Sequence, residues 1–259
     1  MAMLDANGPE RDGEEDRPSG NGKKLAFALT AIMLLVVAVR VYFVVKQRRD
    51  AQVVHVNEGP ALGLTQDDYI VPKKMYPHTL ADARALDGKP IWVFAGNQMN
   101  FYPATATHVN FAKAAGLLQG AEQLDVVNFI EQVAPASLFT RIPRGDRQVL
   151  MLFHRKADPG PLYGVAVGYH EAAGYTFYLD EAFFYDDPHV TYKHWPAPIW
   201  QAIDAHKAVL GMNELQAQLA LGQVSRPGPG EPNNRTVEFD NNGHPVTIVF
   251  EHKKATKIE

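Results

Sequence analysis

The sequence predicts an α+β protein: one N-terminal transmembrane helix, then a mixed helix and antiparallel-sheet domain that ends in a helix-helix-hairpin module. Three observations carry that reading. Residues 25–45 form an apolar run of 21 residues whose one charge is Arg40. Helical patterns precede a series of short apolar strands instead of alternating with them, which favours α+β over a parallel βαβ sheet. Near the C-terminus two short amphipathic segments lead into a strand, the turn pair Asn242-Gly243 and a second strand.

A bilayer core of about 30 Å needs roughly 20 apolar residues in a helix, so residues 25–45 read as a retained anchor through Leu25, Leu34, Leu35 and Val45. A secretory signal has a shorter apolar region and a small-residue cleavage site; here Lys46, Arg48 and Arg49 follow directly. The lipid bilayer is therefore an expected partner. Basic residues flank both ends in near parity, so charge alone does not orient the span. Residues 1–24 carry six acidic and four basic residues with almost no large apolar side chain, and read as a disordered tail. Residues 46–78 read as a juxtamembrane connector in which Val53, Val54 and Val56 suit a short strand.

From Thr79 the folded part begins. Thr79 caps a short helix over residues 80–86, ended by Asp87-Gly88. Residues 90–95 (PIWVFA) read as a buried strand. Residues 109–118 and 124–133 read as helices, the second because Val126, Ile130 and Val133 recur at helical spacing. After Pro143 the period changes to two, giving strands at 148–154, 162–169, 175–180 and 182–185, with turns at Asp158-Pro159-Gly160 and Ala173-Gly174. The segments 79–195 and 196–259 are read as an α+β domain and a following module.

A net charge of −4 gives no basic field for nucleic acid. The absence of cysteine excludes disulfides and thiolate chemistry. The densest polar and aromatic stretch is 178–195, where Asp186, Asp187, His189 and His194 are of types that bind metals or move protons. His189 and His194 are five apart, which places them off one face of a helix and on opposite faces of a strand. No catalytic, cofactor or metal residue is assigned on that spacing, and these four stand as the candidates of an alternative enzyme or metal-binding reading. His170-Glu171 lacks the second histidine of a zincin motif, and no nucleophile elbow or phosphate loop is present. The aromatics are too many for one face of a sheet, so the second face is either covered by helices or exposed for docking. Phe184, Tyr192 and Trp195 are the interaction candidates.

At the C-terminal end, residues 198–207 read as a helix with Ile199, Trp200 and Ile203 on one side. Asn213 caps a second helix over 214–221 that stops at Gly222; residues 236–239 and 245–251 then pair across Asn242-Gly243. This helix, G-M-N-E-L-Q-A-Q-L-A-L-G helix and V-T-I-V-F-E strand resembles the SmpA/OmlA (BamE-like) family of small outer-membrane assembly lipoproteins, over about residues 198–258. The carriers are Gly211, Met212, Leu215, Leu219, Leu221, Gly222, Val249, Phe250 and Glu251. Members of that family are anchored by a lipidated cysteine, which this chain lacks. The resemblance implies a non-catalytic protein-interaction or assembly module in the cell envelope, with a protein partner and no cofactor. With the anchor it places the chain in a bacterial inner membrane with the folded part in the periplasm. The basic cluster after residue 45 leaves a cytoplasm-facing accessory subunit as an alternative.

Overall fold

The computed structural model describes residues 31, 33–46, 63–133, 135 and 147–259. The chain divides into two compact units, Met1–Ala61 and Leu62–Glu259. In the first, helix α1 covers residues 33–46. Among the described residues no helix is long and apolar enough to cross a membrane. The expected single transmembrane helix is thus corrected, and with it the membrane and single-pass assignment. Leu34, Leu35 and Val45 are exposed on this helix, whereas Leu25 and the valines at 53, 54 and 56 lie outside the described residues.

The second unit corrects the balance of the fold class. It is mostly antiparallel sheet, with few and short helices. An eight-stranded sheet, curled into a half-barrel, runs in the order β3-β2-β6-β5-β4-β1-β8, with β7 paired to β6. Its strands are β1 (Pro90–Val93), β2 (Asn100–Pro103), β3 (Gly116–Leu117), β4 (Gln123–Val133), β5 (Arg147–Arg155), β6 (Asp158–Glu171), β7 (Gly174–Phe177) and β8 (Phe183–Phe184). A four-stranded sheet follows, built from β9 (Ser225–Pro227), β10 (Thr236–Phe239), β11 (Val246–Glu251) and β12 (Lys254–Ile258) in the order β12-β11-β10-β9. The helices are α2 (Leu80–Ala83), α3 (Leu179–Ala182), α4 (Pro188–Thr191), α5 (Ala197–Asp204) and α6 (Glu214–Leu221).

Strand β4 replaces the helix expected at 124–133, and the reason is a bulge. Its pairing with β5 slips between Val126 and Asn128. Leu124 and Val126 face the inner core before the slip and Phe129 faces it after, while Ile130 packs on the outer face. Two stretches of period two, offset by one skipped residue, imitate helical spacing. The helix expected at 109–118 is overridden by tertiary contacts. The Gln132 side chain accepts from the Val109 N–H at 2.9 Å and donates to its carbonyl at 3.0 Å. Val109 is thereby held as a fully buried plug over Leu150 and Leu152. A Cβ on Gly164 would lie 2.4 Å from a Val109 methyl, so the plug needs glycine beneath it. The β5–β6 turn falls at Lys156-Ala157, since Arg155 already pairs with Asp158.

The capped turn at Thr79 forms as the sequence predicts, with Thr79 Oγ1 accepting from the Asp82 N–H. Helix α6 matches its predicted span, with Asn213 accepting from the Gln216 N–H. The expected hairpin is larger than a two-residue turn. The β10–β11 loop contains a short 3₁₀ turn at Asn241–Gly243, and two further strands, β9 and β12, flank the pair.

Two cores meet along β1. Ile91 and Val93 point into the half-barrel core with Phe129, Met151 and Phe153. Trp92 and Phe94 point the other way, against a core of Phe184, Trp200, Ile203, Leu219, Phe239 and Phe250. The C-terminal segment therefore packs directly on the back of the large sheet. Where they touch, Cβ atoms on Gly120 and Gly222 would lie 2.0 Å from the Leu219 carbonyl oxygen and 2.7 Å from the Gly96 carbonyl oxygen.

Leu219 is fully buried, so Leu219→Ala is expected to cost about 2–5 kcal/mol. Gly120→Ala is expected to cost about 1–3 kcal/mol through overpacking against backbone that cannot rotate away. Glu238→Gln, in an exposed pair with Arg226, stays within about 0.5 kcal/mol. Denaturant melts of residues 62–259 check all three; parental stability of both core variants would mean that the shared core is misplaced.

Candidate functional site

The polar residues of 178–195 separate into two groups. Asp187 is the cap of α4: its carboxylate accepts from the His189 N–H at 2.8 Å and faces His189 Nδ1 at 3.1 Å. His189 Nε2 lies 3.2 Å from Asp204 Oδ1 at the end of α5, and the ring stacks on the Trp200 indole at 4.0 Å. The imidazole thus bridges two carboxylates and joins α4 to α5. With both ring nitrogens engaged, it is oriented but has no free nitrogen to take a proton from a substrate.

His194 belongs elsewhere. Its Nε2 lies 2.5 Å from Asp67 Oδ1, which also accepts from Trp195 Nε1 at 2.7 Å; Asp67 Oδ2 accepts from Asn213 Nδ2 at 2.6 Å. Asp67 sits in a 3₁₀ turn, Gln66–Tyr69, that Thr65 and Asp68 close as a capping box. One carboxylate therefore ties the segment before the domain to the α4–α5 loop and to the cap of α6. Asp68 binds Lys253 in the β11–β12 turn. Further along the segment, Asp180 accepts from the Met75 and Tyr76 N–H groups and from the Tyr185 hydroxyl, each at 2.8 Å. The connector is consequently docked onto the domain from residue 63 to residue 76.

Asp186 is exposed and joins neither group. Among the described residues no three His, Cys, Asp or Glu side chains are grouped to hold a metal ion. The interaction candidates Phe184, Tyr192 and Trp195 are 5, 3 and 5% exposed. They form core with Phe94 and Trp200 through edge, stacked and tilted ring contacts. The second face of the sheet is covered.

An open cleft lies where no motif pointed. A cleft of about 470 Å³ is lined by the start of β4, the β5–β6 turn and the end of α5, including Ala121, Glu122, Arg155, Lys156, Asp204 and His206. Arg155 Nε pairs with Glu122 Oε1 at 2.5 Å and its guanidinium covers the Phe101 ring at 5.0 Å. Ala121 and His206 hold left-handed backbone, φ 60° and 54°, unusual for residues with a side chain. Burial pushes the His206 imidazole below its ordinary value and so keeps it neutral at pH 7. These residues are far apart in sequence, and none is flagged by a local pattern. A second cleft, about 440 Å³, opens beside Asp67 and His194.

Asp67→Ala leaves the Trp195 and Asn213 donors without their acceptor, and is expected to cost about 2 kcal/mol or more. Its melting curve and Trp195 fluorescence check this. A pH dependence follows from Asp180 and Glu131. Burial alone would raise both carboxyls. Asp180 is nevertheless held below its ordinary value by the Met75, Tyr185 and Tyr76 hydrogen bonds, with Lys74 nearby. Glu131 is held low by hydrogen bonds from Tyr175 and His170, with Arg147 nearby. Their stabilisation is in place above the ordinary carboxyl range, about pH 4, and is lost as pH falls through the lower folded values. Asp180→Asn is expected to flatten that part of an acid-unfolding curve.

In comparisons with known proteins, no family model, curated protein or solved structure matches the chain.

Proposed function

We propose that this protein works by binding rather than by catalysis, as a protein-interaction or assembly module of the cell envelope. The observation that carries the reading is how its histidines and carboxylates are used. His189 links Asp187 to Asp204, while His194 and Asp67 link the connector to the α4–α5 loop. Groups that would be reactive if free are bonded on each side to other parts of the chain, so they set the shape of a surface. The SmpA/OmlA resemblance supports the same direction, as a fold-level analogy. The residues that carry it are structural: Met212, Leu219, Leu221 and Phe250 are core, and Gly222 meets Asn97 at the seam with the large sheet.

Partner contact is testable on the full chain in its native cells. A photo-crosslinking amino acid is placed in turn at Val71, Val190 and Leu210, which are 89, 67 and 63% exposed. The expected result is one partner protein, identified by mass spectrometry, that copurifies in fixed ratio and is still captured by a His189→Gln variant. Scattered crosslinks to unrelated proteins, or an enzymatic turnover abolished by His189→Gln in a folded chain, would overturn the reading. Added Zn²⁺ is expected to leave the melting temperature unchanged, because a native-state ligand stabilises by mass action. A saturable rise that disappears in His189→Gln or His194→Gln would count against a non-catalytic role.

A further inference from the structure

We propose that the cleft between β4, the β5–β6 turn and α5 binds a small zwitterion of dipeptide size. Its carboxylate is held by Arg155 and Lys156 and its ammonium by Asp204. The argument begins from the separation of charge around the cleft. The β5–β6 side brings Arg155 and Lys156; the α5 side brings the Asp204 carboxylate, which faces His189 Nε2 at 3.2 Å and is still exposed to a second donor. Arg155 uses Nε on Glu122, and its two terminal nitrogens make no hydrogen bond among the described residues. A guanidinium presents five N–H donors, so its outer edge is still able to bind a carboxylate. Lys156 stands on a two-residue turn and makes no ion pair among the described residues.

This arrangement selects against simple ions. An anion drawn to Arg155 and Lys156 meets Glu122 and Asp204 within the same cleft, and a cation drawn to Asp204 meets Arg155 and Lys156. Both sets of charges line one cleft of about 470 Å³, and charges so close are incompletely screened at physiological salt. Two extended residues span about 7 Å, which sets a dipeptide's ammonium and carboxylate near opposite sides. The lining also includes the small residues Gly120, Ala121 and Ala157, which leaves room for backbone and short side chains. The left-handed backbone at Ala121 and His206 is the kind of local strain that folds retain where a site needs a particular wall.

The test uses the full chain and three probes: Ala-Ala, N-acetyl-Ala-Ala and Ala-Ala amide, titrated by isothermal calorimetry. Saturable binding of Ala-Ala is expected, with a loss of about tenfold in affinity when either end is blocked. Lys156→Gln, on an exposed turn, is expected to reduce Ala-Ala binding while leaving the melting temperature unchanged. Asp204→Asn, which also alters the His189 contact, should reduce Ala-Ala binding and should abolish the preference for Ala-Ala over its acetylated form. The proposal is overturned if Ala-Ala shows no saturable binding at millimolar concentration, if the blocked forms bind equally, or if both variants bind like the parent.

Discussion

Along one line the large sheet and the C-terminal helices approach so closely that no side chain fits between them. Gly120 lies against the Leu219 carbonyl, and Gly96 and Gly222 meet around Asn97. Asn97 donates its side-chain amide to the Leu221 carbonyl at 2.9 Å, and the Gln223 N–H donates to the Gly96 carbonyl at 3.2 Å. Helix α6 thus ends on backbone of the half-barrel, with one of its terminal carbonyls satisfied there. Because the approach is backbone to backbone, it fixes where Trp92, Phe94 and Phe184 meet Leu219 and Ile203. The shared core follows from that contact, and so does the junction where the larger cleft opens.

Carboxylates do the corresponding work for the segment before the domain. Asp67, Asp68 and Asp180 bind donors on loops, a helix cap, a strand turn and the segment's own backbone. Ile70 and Met75 pack on the two different cores. A stretch that looks like a linker by composition is therefore folded, because partly buried charges with several donors hold it down. The same network explains the uses of His189 and His194. A polar and aromatic cluster in sequence is resolved into two structural ties.

The C-terminal elements were the most legible. Asn213, Gln216 and Gly222 mark the ends of α6 through their own hydrogen-bonding and conformational preferences, and these are local. The strands expected at 148–154 and 162–169 were legible too, whereas those expected at 175–180 and 182–185 shrink to β7 and β8 because α3 takes residues 179–182 between them. Strand β4 was not, because its bulge moves the apolar face from Val126 to Phe129 and only the pairing with β5 reveals the slip. Strand β12 was missed because Lys254, Thr256 and Lys257 are exposed, and only Ala255 is buried to mark it. The cleft residues Glu122, Arg155 and Asp204 had no signal at all, as nothing in their neighbourhoods anticipates their meeting.

By itself the sequence determined whatever depends on neighbours within a turn or two, such as the caps and the longer period-two strands, together with the net charge and the lack of thiols. Tertiary structure decided the rest. It made β4 a strand, placed Val109 as a plug held by Gln132, and divided His189 from His194. The physical reason is range. Capping and alternation act through bonds a few residues apart, whereas a carboxylate such as Asp67, whose partner Asn213 is 146 positions away, acquires its role only after the chain has folded back on itself.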